Sequence, residues 1–125
     1  MMKALVVDDS KAIRNMLARI LVRNGFEVLQ AEGGFEALNL LEGEDTDLDL
    51  MCVDFNMPEM NGLELLAEMR DQPRFDDLPV MMVTTETHVE FITSALACGA
   101  NEYVMKPFTE DMIADKLRVL GLLPY

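Results

Sequence analysis

Four short apolar runs in this chain each stop at a polar residue, and helical patterns lie between them. Leu5-Val6-Val7 stops at Asp8-Asp9, Leu50-Met51-Cys52-Val53 at Asp54, Val80-Met81-Met82-Val83 at Thr84, and Tyr103-Val104-Met105 at Lys106. Runs this apolar suit strands covered on both faces. Their alternation with helices is the pattern of a parallel sheet with short right-handed crossovers. In an open parallel sheet, ligands sit outside the carboxyl ends of the strands. The pattern therefore gathers three carboxylates, a hydroxyl and an ammonium on one rim, an inventory for holding a divalent metal and a phosphoryl group.

The remaining segments fill in the same architecture. Ser10 is placed to cap a helix. Ile13, Leu17, Ile20 and Leu21 recur at helical spacing within it, and Asn24-Gly25 ends it. Phe26 to Ala31 reads as a strand, Glu32-Gly33-Gly34 as a turn and Phe35 to Leu41 as a short helix. Glu42 to Asp47 reads as an acidic loop ahead of a strand over Leu48 to Val53. Asn56 to Gly62 is a loop by its Pro and Asn-Gly content, and Leu63 to Arg70 is helical. A polar connector over Asp71 to Leu78 leads to a strand over Pro79 to Thr84. His88 to Ala97 forms a helix with Ile92 and Leu96 on one side, ended by Gly99, and Glu102 to Met105 forms a strand. Thr109 caps a last helix through Val119, with Glu110 and Asp111 favourably placed in its first turn. The expected fold is α/β and flavodoxin-like, a doubly wound sheet of five parallel strands in the order 2-1-3-4-5 with five helices, in one domain over residues 1–125.

Composition narrows the function classes. A net charge of -13 argues against non-specific nucleic-acid binding, which depends on Lys and Arg neutralising phosphates, and favours basic partner surfaces. No window holds the ~18 consecutive apolar residues of a membrane span. The start, Met1 to Asp8, is too short and too soon acidic for a signal peptide, so a cytoplasmic protein is expected. Cys52 and Cys98 read as small hydrophobes in a reducing compartment. With His88 as the only histidine, a zinc site lacks ligands.

Among the rim residues, Asp54 is the strongest candidate. It follows a hydrophobic strand and precedes an irregular loop, and a carboxylate can act as a nucleophile toward phosphorus. Asp8 and Asp9 beside it would repel it strongly unless a cation sits among them. Mg²⁺ fits, because it takes oxygen ligands and keeps water and phosphate oxygens in its shell. The backbone carbonyl of Asn56 is a candidate further ligand. Lys106 can reach a phosphate oxygen as a flexible point charge, and Pro107 after it leaves a cis peptide bond open. The Thr84 hydroxyl can donate to an anion at the rim, whereas strand alternation aims Thr85 elsewhere. Gly33-Gly34 lacks both a P-loop lysine and a dinucleotide fingerprint.

The set Asp8-Asp9, Asp54, Thr84 and Lys106-Pro107, with Asp54-Phe55-Asn56-Met57-Pro58-Glu59-Met60-Asn61-Gly62 and Lys106-Pro107-Phe108-Thr109 around it, resembles the receiver domain of bacterial two-component response regulators. The resemblance runs from about Lys3 to Leu120 and, within the family, is nearest to the single-domain chemotaxis regulators. It implies that Asp54 accepts a phosphoryl group from a histidine kinase, that Asp9, Asp54 and the Asn56 carbonyl bind Mg²⁺, and that Asp8 holds metal-bound water. It implies that Thr84 and Lys106 contact the phosphoryl oxygens. Thr84 then moves toward the phosphate, Tyr103 turns inward, and the face of the fourth helix, fifth strand and fifth helix is remodelled. Ile92 and Lys116 lie on that face. Asn56 and Glu86 occupy the positions that tune dephosphorylation and match a fast-turnover choice. Thr85 stands where the family usually has a smaller residue, and narrower access would slow loss of the phosphoryl group. The implied partners are a histidine kinase of the CheA type upstream, a flagellar motor switch protein or another protein target downstream, and a phosphatase, with the chain itself a monomer that is not an enzyme.

Other readings share parts of this set. A stand-alone receiver can instead be a phosphorelay intermediate. Haloacid-dehalogenase-type phosphatases also use Asp, Thr or Ser, Lys and Mg²⁺, but their nucleophile belongs to an Asp-x-Asp motif after the first strand. A constitutive interaction module would not need the complete residue set. A flavodoxin-like flavin binder would need a Ser/Thr-rich phosphate loop after the first strand, and the chain has no tryptophan to stack a flavin.

Overall fold

The computed structural model describes residues 1–43, 47–86 and 88–124. Five parallel strands form one sheet in the order β2-β1-β3-β4-β5, with β1 at Met2–Val7, β2 at Phe26–Ala31, β3 at Leu50–Asp54, β4 at Val80–Thr84 and β5 at Glu102–Met105. The helices are α1 (Lys11–Arg23), α2 (Gly34–Leu41), α3 (Gly62–Arg70), α4 (Val89–Ala97) and α5 (Glu110–Val119). Of the acidic loop expected over Glu42 to Asp47, residues 44–46 lie outside the described residues.

Strand alternation builds two half-cores. Leu5, Val7, Met51, Val53, Val80 and Met82 face the side that also holds Leu41, Leu65, Leu66, Met69 and Ala95 of α2, α3 and α4. Ala4, Val6, Leu50, Cys52, Met81 and Val83 face the side of Leu17, Leu21, Ile113 and Leu117 of α1 and α5. The inner strands β1, β3 and β4 are thus apolar on both faces, as a sheet covered by helices on both sides requires. Cys52 and Cys98 are free, and burial pushes the Cys52 thiol up to about 12, so it acts as an inert hydrophobe.

The caps follow the sequence closely. The Ser10 hydroxyl accepts from Ile13 N, and the Thr109 hydroxyl accepts from Met112 N. Asn61 and Glu64 close a capping box at the start of α3, satisfying two backbone donors at once. The largest boundary shift is at β3. β3 begins at Leu50 rather than Leu48, and it carries Asp54 as its last residue. Asp49, just ahead of it, instead receives Lys3 N on its carboxylate at 2.8 Å. The polar connector after α3 contains a short 3-10 helix, Pro73–Phe75. On α4, Ala95 is the buried residue while Leu96 is half exposed. The apolar side read from Ile92 and Leu96 is therefore the outward one.

Candidate functional site at the carboxyl edge of the sheet

The parallel register sets the site. Val7 pairs with Val53, and Asp54 pairs with Val83. Asp8, Asp54 and Thr84 therefore leave neighbouring strands at the same level, and Lys106 leaves β5 beside them. Its backbone N–H donates to Thr84 O at 2.8 Å. The Lys106-Pro107 bond is cis.

Lys106 is the centre of the charge arrangement. Its Nζ donates to Asp8 Oδ2 at 2.9 Å and to Asp54 Oδ1 at 3.1 Å. Asp8 and Asp54 are buried, with 3% and 5% of their surfaces exposed, while Asp9 is exposed. Ligand oxygens of Asp8, Asp9 and Asp54 all lie within 4.8 Å of one another. Three carboxylates and one ammonium leave the rim with excess negative charge. Burial raises the Asp54 pKa above the usual carboxylate range, and repulsion from Asp8 adds to this, against the hydrogen bond and charge of Lys106. Burial works against the Lys106 charge, but its bonds to Asp8 and Asp54 outweigh that and hold its pKa above the ordinary lysine value.

The donor set here is oxygen alone, from three carboxylates, without thiol or imidazole. That chemistry fits a hard divalent cation. The excess negative charge supplies the reason for one to bind.

Backbone contacts hold these side chains in place. Ser10 N donates to Asp8 Oδ1 at 2.8 Å, and Asp8 N donates to Ala31 O at 3.2 Å. A Cβ on Gly62 would lie 2.5 Å from the Asp54 carbonyl oxygen and 3.0 Å from Phe55 Cα. Only a glycine lets α3 start this close to the end of β3. The Thr84 hydroxyl accepts from Glu86 N at 3.0 Å, which leaves its own hydrogen to be donated. Thr84 is fully buried, Thr85 and Asn56 are exposed, and Glu86 is half-buried.

Farther from the rim, Tyr103 is half-buried on β5. The Lys116 ammonium lies 5.5 Å from its ring centroid and donates to Glu102 Oε1 at 2.9 Å. Ile92 is half-buried on α4. These three residues belong to the α4–β5–α5 side, and no contact joins them to the carboxylates among the described interactions.

Sequence reasoning missed Arg14. Its Nη1 donates to Asp8 O at 2.8 Å and its Nε to Gln30 Oε1 at 3.2 Å, so it braces the backbone of a rim carboxylate. The signal was present, because Arg14 shares the inward face of α1 with Leu17, Ala18 and Leu21. Arg70 was also missed. Its guanidinium reaches the carbonyls of Gly99 and Leu78 at 2.8 Å each, that of Phe75, and Asn101 Oδ1 at 3.0 Å. It thereby ties the end of α3 to the turn between α4 and β5.

Residues 4–118 match the family model described as the response regulator receiver domain. A chemotaxis protein CheY homolog of Campylobacter jejuni is 45% identical over 122 residues, covering 96% of this chain and 93% of that protein. Chemotaxis protein CheY1 of Helicobacter pylori is 43% identical over 120 residues, covering 95% and 96%. Among solved structures, the chemotaxis response regulator CheY4 of Vibrio cholerae superposes with a TM-score of 0.89 at 36% identity, covering 96% of this chain and 98% of that one.

Proposed function

The chain belongs to the response regulator receiver domain family, a family of phosphorylation-activated switches, and on that premise we propose that Asp54 is its phosphoacceptor. One observation carries the reading: a single ammonium, Lys106, bridges Asp8 and Asp54 at the carboxyl edge of the sheet, with Asp9 beside them. Lys106 holds the place of a counter-charge, and the rim has room in its charge balance for a divalent cation and then for a phosphoryl group.

The phosphodonor is the phosphohistidine of a histidine kinase. An Asp54 carboxylate oxygen forms the new bond to phosphorus as the bond from phosphorus to the imidazole nitrogen breaks. The electron pair stays on that nitrogen. Asp9 and Asp54, with the Asn56 carbonyl, would hold Mg²⁺, and Asp8 would hold water bound to it. When bound, the ion draws phosphoryl oxygens into line and offsets their charge. Lys106 moves from the carboxylates to a phosphoryl oxygen, and Thr84 donates its free hydroxyl hydrogen to another. The group is later lost to water, at a rate tuned by Asn56, Glu86 and Thr85. The chain is thus a phosphoacceptor that assists its own transfer and not a turnover enzyme.

The output is binding. The dianionic product biases a two-state element that includes Tyr103, Ile92 and Lys116. We read the chain as a single receiver unit, working in the cytoplasm with a CheA-type kinase and a flagellar motor switch target. The names of its relatives, chemotaxis proteins, support the chemotaxis part of that reading. Incubation with acetyl phosphate and Mg²⁺, followed by intact mass, tests the reading. The expected result is addition of one phosphoryl group to the wild type and none to Asp54→Asn. Equal labelling of both proteins would refute it.

A further inference from the structure

Phe55 directly follows Asp54, and its ring packs on Phe91 of α4 with centroids 4.4 Å apart and planes at 60°. Tilted contacts of this kind are favoured by the ring quadrupoles. The two sides of the contact are held very differently. On the β3 side, Asp54 is paired with Val83 in the sheet, and Gly62 N donates to Phe55 O at 2.9 Å. The absence of a Cβ on Gly62 lets α3 press against the same two residues. On the α4 side, Ala95 is the helix's one buried residue. An alanine is too small to fix how a helix is rotated on a sheet. His88 at the N-cap makes no side-chain cap bond. The large side chain by which the first half of α4 grips the body of the protein is Phe91. Outward, Val89 is 76% exposed and Leu96 50% exposed, with half-buried Ile92 between them, an apolar row that turns with the helix.

We propose that the Phe55–Phe91 ring pair is the contact through which the state of Asp54 sets the position of α4, with Phe91 a positioning residue. The inference rests on Asp54 being the phosphoacceptor. On that reading a phosphoryl group draws Thr84 toward itself, and with it the start of α4. Phe55 cannot follow, because Gly62 N holds its carbonyl and Asp54 before it is paired in the sheet. α4 therefore turns about the Phe91 contact, carrying the row of Val89, Ile92 and Leu96 with it. By linkage, a partner that grips this row acts back on the phosphorylated state through the same two rings.

The test combines amide hydrogen exchange over α4 with mass labelling. Wild type, Phe55→Leu, Phe91→Leu and the double variant are each measured with and without Mg²⁺ and beryllofluoride, and labelled separately with acetyl phosphate. In the wild type the activator changes exchange over α4 by about fivefold or more. Each single variant cuts that response to about twofold or less, the double variant cuts it no further, and labelling stays within about threefold of wild type in all. A full α4 response in either folded single variant overturns the proposal. So does loss of labelling in the variants, because the rings would then be building the site rather than reporting it. If one single variant does not fold, the other carries the test. A wild type that takes no phosphoryl group defeats the premise itself, and the labelling arm shows that separately.

Discussion

Two lysines sit 2.9 Å from a carboxylate, Lys106 at the rim and Lys116 on the β5–α5 side, and their surroundings divide the molecule. Lys106 is mostly enclosed and joins two buried carboxylates from the inner strands β1 and β3. The Lys116 side chain is 34% exposed and joins one glutamate on the edge strand β5. The rim is fixed by register, by Gly62 and by Arg14. The side that carries Lys116 is built from the edge strand β5, from α5 and from α4, of which α4 buries a single alanine. A switch needs this asymmetry. Chemistry requires groups held to within fractions of an ångström, whereas output requires an element that can be displaced by a few kcal/mol.

The largest expected effect sets the two lysines against each other. Lys106→Ala leaves buried carboxylates without their counter-charge and costs about 3 kcal/mol, a fall in Tm of roughly 10 °C for a chain of this size. Lys116→Ala breaks a partly solvated pair and costs less than about 1 kcal/mol. Thermal denaturation of both in metal-free buffer checks this, and equal losses would erase the distinction between the two regions. The Lys106 contribution has a defined pH dependence. Because its folded pKa is raised, its stabilisation is complete below the unfolded pKa and fades as pH rises through the folded one.

Divalent cation comes next. Mg²⁺ at ten times its dissociation constant should stabilise the wild type by about 1.4 kcal/mol. Asp9→Asn, exposed and costing little by itself, should remove most of that gain. A Tm increase unchanged in this variant would place the ion elsewhere.

Asp54→Asn should be more stable than wild type in metal-free buffer at neutral pH, by a few degrees in Tm. The Asp54 pKa is raised in the folded protein, so its ionised form costs stability above that value. The cost is relieved as pH falls through the raised value toward the ordinary carboxylate range. The gap between variant and wild type should therefore close on acidification, and a gap that widens would contradict the sign. The smallest effect expected is kinetic. Thr85→Ala should speed loss of the phosphoryl group by about two- to fivefold, read by intact mass over time. An unchanged or slower rate would remove Thr85 from the control of access.

What the sequence made legible and what it hid follow the same division. Strand-end residues were readable, because an apolar run and its terminating polar residue are local signals and a parallel sheet aligns such ends by construction. Asp8, Asp54, Thr84 and Lys106 thus came together on pattern alone. Contacts between elements left weaker marks. Arg14 looked like solvent surface because periodicity counts charge as outward, although it stands three residues before Leu17 on the buried row. Arg70 binds carbonyls of Phe75, Leu78 and Gly99, and a backbone acceptor has no residue type to announce it. The start of β3 lies later than the pattern suggests because Leu48 alternates with Leu50 across Asp49, while Asp49 takes a side-chain bond that periodicity does not encode. On α4, the row of Ile92 and Leu96 was visible, but which side faced inward depended on Phe55, an aromatic in a distant segment.

The most direct measurement is the position of the acyl phosphate itself. The protein is treated with acetyl phosphate and Mg²⁺, reduced with borohydride to convert a phosphorylated aspartate into homoserine, digested and sequenced by mass spectrometry. Conversion at residue 54, and not at 8 or 9, is the expected result. Conversion at Asp8 or Asp9, or at none of the three, would contradict the assignment of a fixed phosphoacceptor at the end of β3.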